Sequence, residues 1–302
     1  MKNLSNILVI LGVIAVLVFV SGQQGCQNEA KTNFSSTALA FSFVDNAPPT
    51  DLVTNQKYPI YVDLVNNGGY DIAPGTAHFY LTGIGENLRN VNTKVQNVNT
   101  LVKKSQMQDG GKERLTFATE AEPWQSLPAP FNLVMRLDTC YKYATITQTT
   151  LCIGQGSSIC NISSEKITTS SNSAAPLQIT SVTEQITGNK LYINFLIENK
   201  GTGQVFLSNA DCDQLQEQNI NEKSKANQVE INVRTEDGIT CNLQSMQQPY
   251  PSVEGTTGMT SLGRVTCQKT LTGTETHITP VEIVMVYIYK DGITKSMTIL
   301  PP

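Results

Sequence analysis

A chain of 302 residues is long enough for two domains of ordinary size, each burying its own core. Charged residues make up only 15% of it, below the roughly 25% of an average soluble protein, and Asn, Gln, Thr and Ser fill the deficit, as suits an extracellular β-protein better than a cytosolic enzyme. The formal net charge of −4 leaves no basic footprint for nucleic acid.

The first element is apolar. Met1 and Lys2 lead into an uninterrupted hydrophobic run from Ile7 to Val20, which as a helix would extend about 21 Å, short of the roughly 30 Å hydrocarbon core. Residues 1–25 therefore read as a signal peptide or membrane anchor. Val20-Ser21-Gly22 is similar to a signal-peptidase site, whereas Gly25-Cys26 is similar to the end of a lipobox, with Gln23 out of pattern. A cleaved signal, a retained helix and a lipid on Cys26 all remain open, and residues 26–33 form a polar tether. An exported chain held at the outer face of the cytoplasmic membrane through its N-terminus is the expected location.

From Phe34 onwards, short alternating or β-branched runs are separated by Gly, Pro, Asn and Asp clusters. The first half offers strands at 38–44, 58–66, 75–83, 113–120, 131–143 and 146–153. The second offers 177–186, 190–199, 203–208, 228–235, 238–244, 263–271, 281–290 and 293–300. The stretch 84–112, rich in Asn and Val, reads as a long loop or a short helix. The predicted fold is all-β: two tandem immunoglobulin-like β-sandwich domains, 34–160 and 176–302, joined by the Ser/Thr-rich linker 161–175.

The halves match each other. "IYVDLVNNGGYD" and "INFLIENKGTGQ" each run an alternating strand into Asn and then Gly, and "APFNLVMRLDTCYKYATITQTTLCI" parallels "TPVEIVMVYIYKDGITKSMTILPP". Both of the latter read as closing hairpins, and the whole as an internal duplication of one sandwich. These strand-Asn-Gly steps, together with "FSFVDNAPPTDL", "VDLVNNGGYDIAPGTAHFYLTG" and the "CYKY…LC" segment, resemble exported surface proteins of small-genome archaea that carry tandem immunoglobulin-like domains related to the cell-adhesion-related (CARDB-like) domain. The resemblance implies an envelope component, and it brings no catalytic residue with it.

Seven cysteines are present. With Cys26 set apart at the membrane, Cys140, Cys152, Cys160, Cys212, Cys241 and Cys267 make an even set, as a disulfide framework in an exported protein requires. If Tyr143 and Thr149 flank a turn, Cys140 faces Cys152; the strands around Cys241 and Cys267 place those two opposite each other; Cys160 and Cys212 pair by elimination, pinning the linker to the second domain. Asn33 and Asn161 head N-x-Ser sequons and are glycosylation candidates.

Reactive groups are scarce. The two histidines, His78 and His277, fall inside predicted strands, and no GxSxG elbow, Walker loop or HExxH motif occurs. Asp211 and Asp213, with Asn209, could form a weak calcium loop, and Glu120 and Glu122 beside Trp124, the single tryptophan, a sugar-stacking site; both have blander structural readings. No catalytic, cofactor or metal site is expected. The expected function is a non-catalytic adhesion or envelope-structural protein presenting β-sandwich loops to a protein or glycan partner. An accessory solute- or polysaccharide-binding lipoprotein is the alternative.

Overall fold

Alternation decides which strand faces turn inward. In "YPIYVDLVN", Ile60, Val62 and Leu64 are buried while the residues between them are partly exposed, and in "KLYINFLIEN" Leu191, Ile193, Phe195 and Ile197 behave likewise. The structure, a computed structural model, describes residues 36, 38–124, 128–154, 160–162, 164–168, 171–244, 255–272 and 276–302. The expected signal or anchor, the tether, Cys26 and Asn33 lie outside the described residues.

In chain order the first half runs β1 (Leu39–Phe43), β2 (Asp51–Val53), β3 (Tyr58–Asn66), β4 (Ala77–Thr82), β5 (Leu88–Arg89), β6 (Lys94–Gln96), β7 (Lys112–Pro123) and β8 (Phe131–Ile153). The second half runs β9 (Leu177–Thr187), β10 (Lys190–Asn199), β11 (Gln204–Leu207), two short helices α1 (Cys212–Gln216) and α2 (Ile220–Lys223), β12 (Gln228–Arg234), β13 (Thr240–Cys241), β14 (Thr256–Ser261), β15 (Gly263–Thr270) and β16 (His277–Leu300). Each half contributes one four-stranded sheet, in the orders β1-β3-β7-β5 and β13-β15-β10-β9. Both halves also enter a third sheet, eight-stranded, along the path β14-β12-β16-β8-β4-β6, with β11 and β2 attached to β16.

The seam of that sheet corrects the expected hairpins. Neither 131–153 nor 277–300 folds back; each is one long strand, and the two pair with each other antiparallel from His277 opposite Ile153 to Ile299 opposite Phe131. No residue of "YKYATITQ" favours a reversal, and Asp291-Gly292, a strong hairpin signal by itself, passes straight through. Gly292 is there for a close approach: a Cβ on it would lie 2.8 Å from Asp138 Oδ1. A long partner strand outcompetes a local turn because it satisfies every ladder hydrogen bond.

Consequently the halves expected as tandem domains on a linker share a sheet and one continuous apolar core, and residues 34–302 make one compact unit. The expected linker is built into that unit. Gln148 N–H donates to Ser171 O, Ser173 N–H to Ile146 O, and Asn172 Oδ1 accepts from both Thr147 Oγ1 and Ile179 N. Its polar residues thus lace β8 to β9. Within 84–112 the structure forms a 3-10 turn at Gly85–Asn87 and the short strands β5 and β6.

The duplication is visible in hydrogen bonds. Asn66 Oδ1 accepts from Gly68 N and Asn199 Oδ1 from Gly201 N, both at 3.1 Å. Tyr70 N–H then donates to the Tyr143 hydroxyl, and Gly203 N–H to that of Tyr289. A Cβ on Gly68 would sit 1.9 Å from the Tyr143 oxygen, and one on Gly201 would sit 2.2 Å from that of Tyr289, so both turns need glycine for the same reason. At the seam Tyr141 lies opposite Tyr289 and Tyr143 opposite Tyr287. The four rings touch edge to face, with centroids 5.8 to 6.5 Å apart, an arrangement that adds directional attraction to their burial.

Candidate functional site

On β8 and β16 the odd-numbered side chains enter the core and the even-numbered ones face the other way. Part of this outer face is roofed by residues 208–227, an insertion the first half lacks. Asp211 caps α1, its carboxylate accepting from Asp213 N and Gln214 N, and Asn219 caps α2. Phe206, Ala210, Cys212 and Leu215 pack on Tyr80, Cys140 and Ile288 in a second, smaller core. Asp213 ties the insertion to the first half by accepting from the Tyr80 hydroxyl at 2.6 Å and pairing with Lys94 Nζ at 2.6 Å. Lys94 and Tyr80 hold its carboxyl below the usual range.

The Cys140–Cys212 disulfide clamps the roof to the sheet, and this overturns part of the expected pairing. Cys140 and Cys152 stand on one uninterrupted strand, about 40 Å apart at the usual rise per residue, so they cannot meet. Cys152 pairs instead with Cys160, so the expected Cys160–Cys212 bridge is also replaced. Cys241–Cys267 forms as expected, directly across β13 and β15.

Between roof and sheet lies a cleft of about 480 Å³. Its sheet side presents Arg136, Asp138, Gln204 and Lys290, and its roof side Gln216, Gln218 and Lys223. Arg136 pairs with Asp138 at 2.8 Å, and Gln216 Nε2 approaches the other oxygen of Asp138 at 3.4 Å. Lys290 Nζ donates to Gln216 Oε1 at 3.0 Å and approaches Leu215 O at 3.4 Å, both uncharged acceptors. Lys223 Nζ likewise donates to Gln218 Oε1. Burial pulls the Lys290 ammonium below its usual pKa; Asp138 opposes this, and the charges of Arg136 and Lys223 add to it. Three cations thus face one carboxylate. A second groove on the same face, about 700 Å³ and more open, has the opposite balance: Arg234 pairs with Glu282 at 2.8 Å, and Glu236 also lines it. Glu282 stands where the tyrosine register puts the counterpart of Arg136, so the duplication does not repeat the cationic cleft, which residues of both halves line.

Other residues singled out in the sequence have structural partners. Asp211 and Asp213 are occupied by helix N–H groups and by Lys94, and Asn209 O accepts from Lys225; no group of three or more His, Cys, Asp or Glu able to hold a metal occurs among the described residues. Arg89 covers a face of the Trp124 ring at 4.6 Å, while Lys57 pairs with Glu120 and Glu122. His78 lies near Gln96 on β6, and His277 pairs with Asp237 at 3.1 Å. Asn161 is exposed. Arg136, Lys223 and Lys290 escaped the sequence reading because three distant segments bring them together; the one available signal was the polar, helix-capped insertion in the second half.

No protein-family model matches the chain, and no curated protein is significantly similar to it.

Proposed function

We propose that the protein is an exported, non-catalytic binding module of the cell envelope, held to the outer face of the cytoplasmic membrane by its N-terminus, with its two halves being immunoglobulin-like sandwiches fused along a common sheet. The observation that carries this reading is the disulfide framework. Three bridges persist where thiols oxidise, outside a reducing cytosol. The resemblance to archaeal surface proteins with cell-adhesion-related domains points the same way. So do the duplicated turns, since a β-framework rigid through its seam presents a surface at low entropic cost to binding. The test is protease accessibility on intact cells combined with thiol labelling of the native protein. Protection from external protease, or labelling of the six cysteines without reductant, refutes export.

The accessory reading, a solute- or polysaccharide-binding lipoprotein, draws on one specific observation, the cationic cleft under the 208–227 roof.

A further inference from the structure

We infer that this cleft is a binding site for a carboxylate-bearing saccharide, a hexuronate or a short oligomer of one. The inference rests on reading the protein as a binding module rather than an enzyme, and it concerns what the module holds.

Charge selects an anion. Arg136, Lys223 and Lys290 outnumber Asp138 in the cleft wall, although the chain as a whole is acidic. Among the described residues the ammonium groups of Lys290 and Lys223 donate only to uncharged oxygens of Gln216, Leu215 and Gln218. Among the described residues half-buried Lys290 has no opposite charge in contact, a state that a ligand carboxylate would relieve by a charge-assisted hydrogen bond. Arg136 spends Nε and one Nη on Asp138, leaving further N–H groups of its fork for a ligand.

The remaining lining selects a polyol over a simple anion. Asp138 and the amide oxygens of Gln204, Gln216 and Gln218 are acceptors, and a sulfate dianion has no hydroxyl hydrogen to give them and a hydrogen phosphate dianion only one, whereas a sugar ring has several. The amide nitrogens of the same glutamines donate to ring and hydroxyl oxygens. Phe206 from the sheet and Leu215 and Ala226 from the roof supply apolar surface for C–H faces. At about 480 Å³ the cleft lies within the roughly 300–1,000 Å³ of small-ligand sites and far exceeds a lone carboxylate. The disulfide at Cys140–Cys212 fixes roof to floor, so the groups are positioned before a ligand arrives.

The experiment is calorimetric titration of the full chain with trigalacturonate, maltotriose, sodium acetate and sodium sulfate. Trigalacturonate is expected to bind, weakening as salt is added, with maltotriose and the two simple anions at least about tenfold weaker. Lys290→Gln and Lys223→Gln should each lose about tenfold in affinity, the scale of one charge-assisted hydrogen bond. Lys290→Arg should retain most of it, and Lys104→Gln, an exposed control, should change nothing. Unchanged melting of each variant separates lost contacts from lost folding, and Lys223, on the exposed side of the short helix α2, serves should Lys290→Gln unfold. Polygalacturonate then distinguishes a polymer from a free sugar as the source. Silence toward trigalacturonate, equal affinity for maltotriose or sulfate, or indifference to both lysine substitutions overturns the inference. Export and cleft binding fail independently, because one is read on cells and the other in solution.

Discussion

Asn66→Ala should destabilise the protein by about 3 kcal/mol and its repeat counterpart Asn199→Ala by only about 1 kcal/mol, because Asn66 is the more deeply buried and makes one more hydrogen bond. Asn66 is fully buried, and its amide donates to Tyr70 O and Leu101 O at 2.8 Å each while accepting from Gly68 N at 3.1 Å. Truncation leaves the Gly68 N–H and Tyr70 O without these partners; Leu101 O still has the Ile72 N–H. Asn199 makes two such bonds, to Gly203 O and from Gly201 N, both partly exposed, so water can replace the lost amide. Because 34–302 is one compact unit, a single cooperative transition is expected, and the difference appears as a displaced urea midpoint at constant slope. On heating the shifts should be about 6 °C and about 2 °C, taking roughly 2 °C per kcal/mol for a domain of this size. Asn66→Asp should be worse than alanine, since it sets a carboxylate against two carbonyl oxygens. Equal shifts at the two positions, or a larger one at Asn199, would refute the reasoning from burial and the extra hydrogen bond.

Peptide mapping without reductant should recover Cys140 joined to Cys212; a Cys140–Cys152 peptide would mean that β8 folds back. Replacing Cys140 and Cys212 together by serine removes a cross-link spanning 72 residues, for which the chain-entropy relation gives about 4 kcal/mol, against about 2.5 kcal/mol for the Cys152–Cys160 link of 8 residues; melts of the two double variants check the order. Burial raises all four seam tyrosines above the usual phenol range, Tyr289 to about 12. The unfolded chain therefore releases protons that the folded one keeps, and stability should fall as pH rises from about 10 toward 12; Tyr289→Phe should flatten that fall, and an unchanged slope would count against the tyrosine assignment. Asp213 has the opposite sign: its lowered pKa contributes stability present above about pH 4 and lost on further acidification. In Asp213→Asn the acid limb should be shallower, and an identical limb shows that Tyr80 and Lys94 do not hold the roof.

Much of the β architecture was legible because it is written locally. The strands Tyr58–Asn66, Lys190–Asn199, Gln228–Arg234 and Gly263–Thr270 carry their own alternation, and Cys241 and Cys267 meet because neighbouring strands bring them together. The Asn-Gly turns announced the duplication for the same reason, since only glycine fits beside a tyrosine hydroxyl there. What the chain could not declare locally were competitions settled between distant segments. Whether "CYKYATITQTTLC" turns or runs straight depends on β16, which begins more than a hundred residues later, and Asp291-Gly292 loses its turn to the same pairing. The linker became a strap because β8 and β9 both had backbone groups to satisfy beside it. Arg136, Lys223 and Lys290 carry no shared pattern, for a cleft is a property of how a roof meets a sheet: here the sequence by itself determined the strands, and tertiary pairing along one seam decided the partners of Cys140 and where the cations gather.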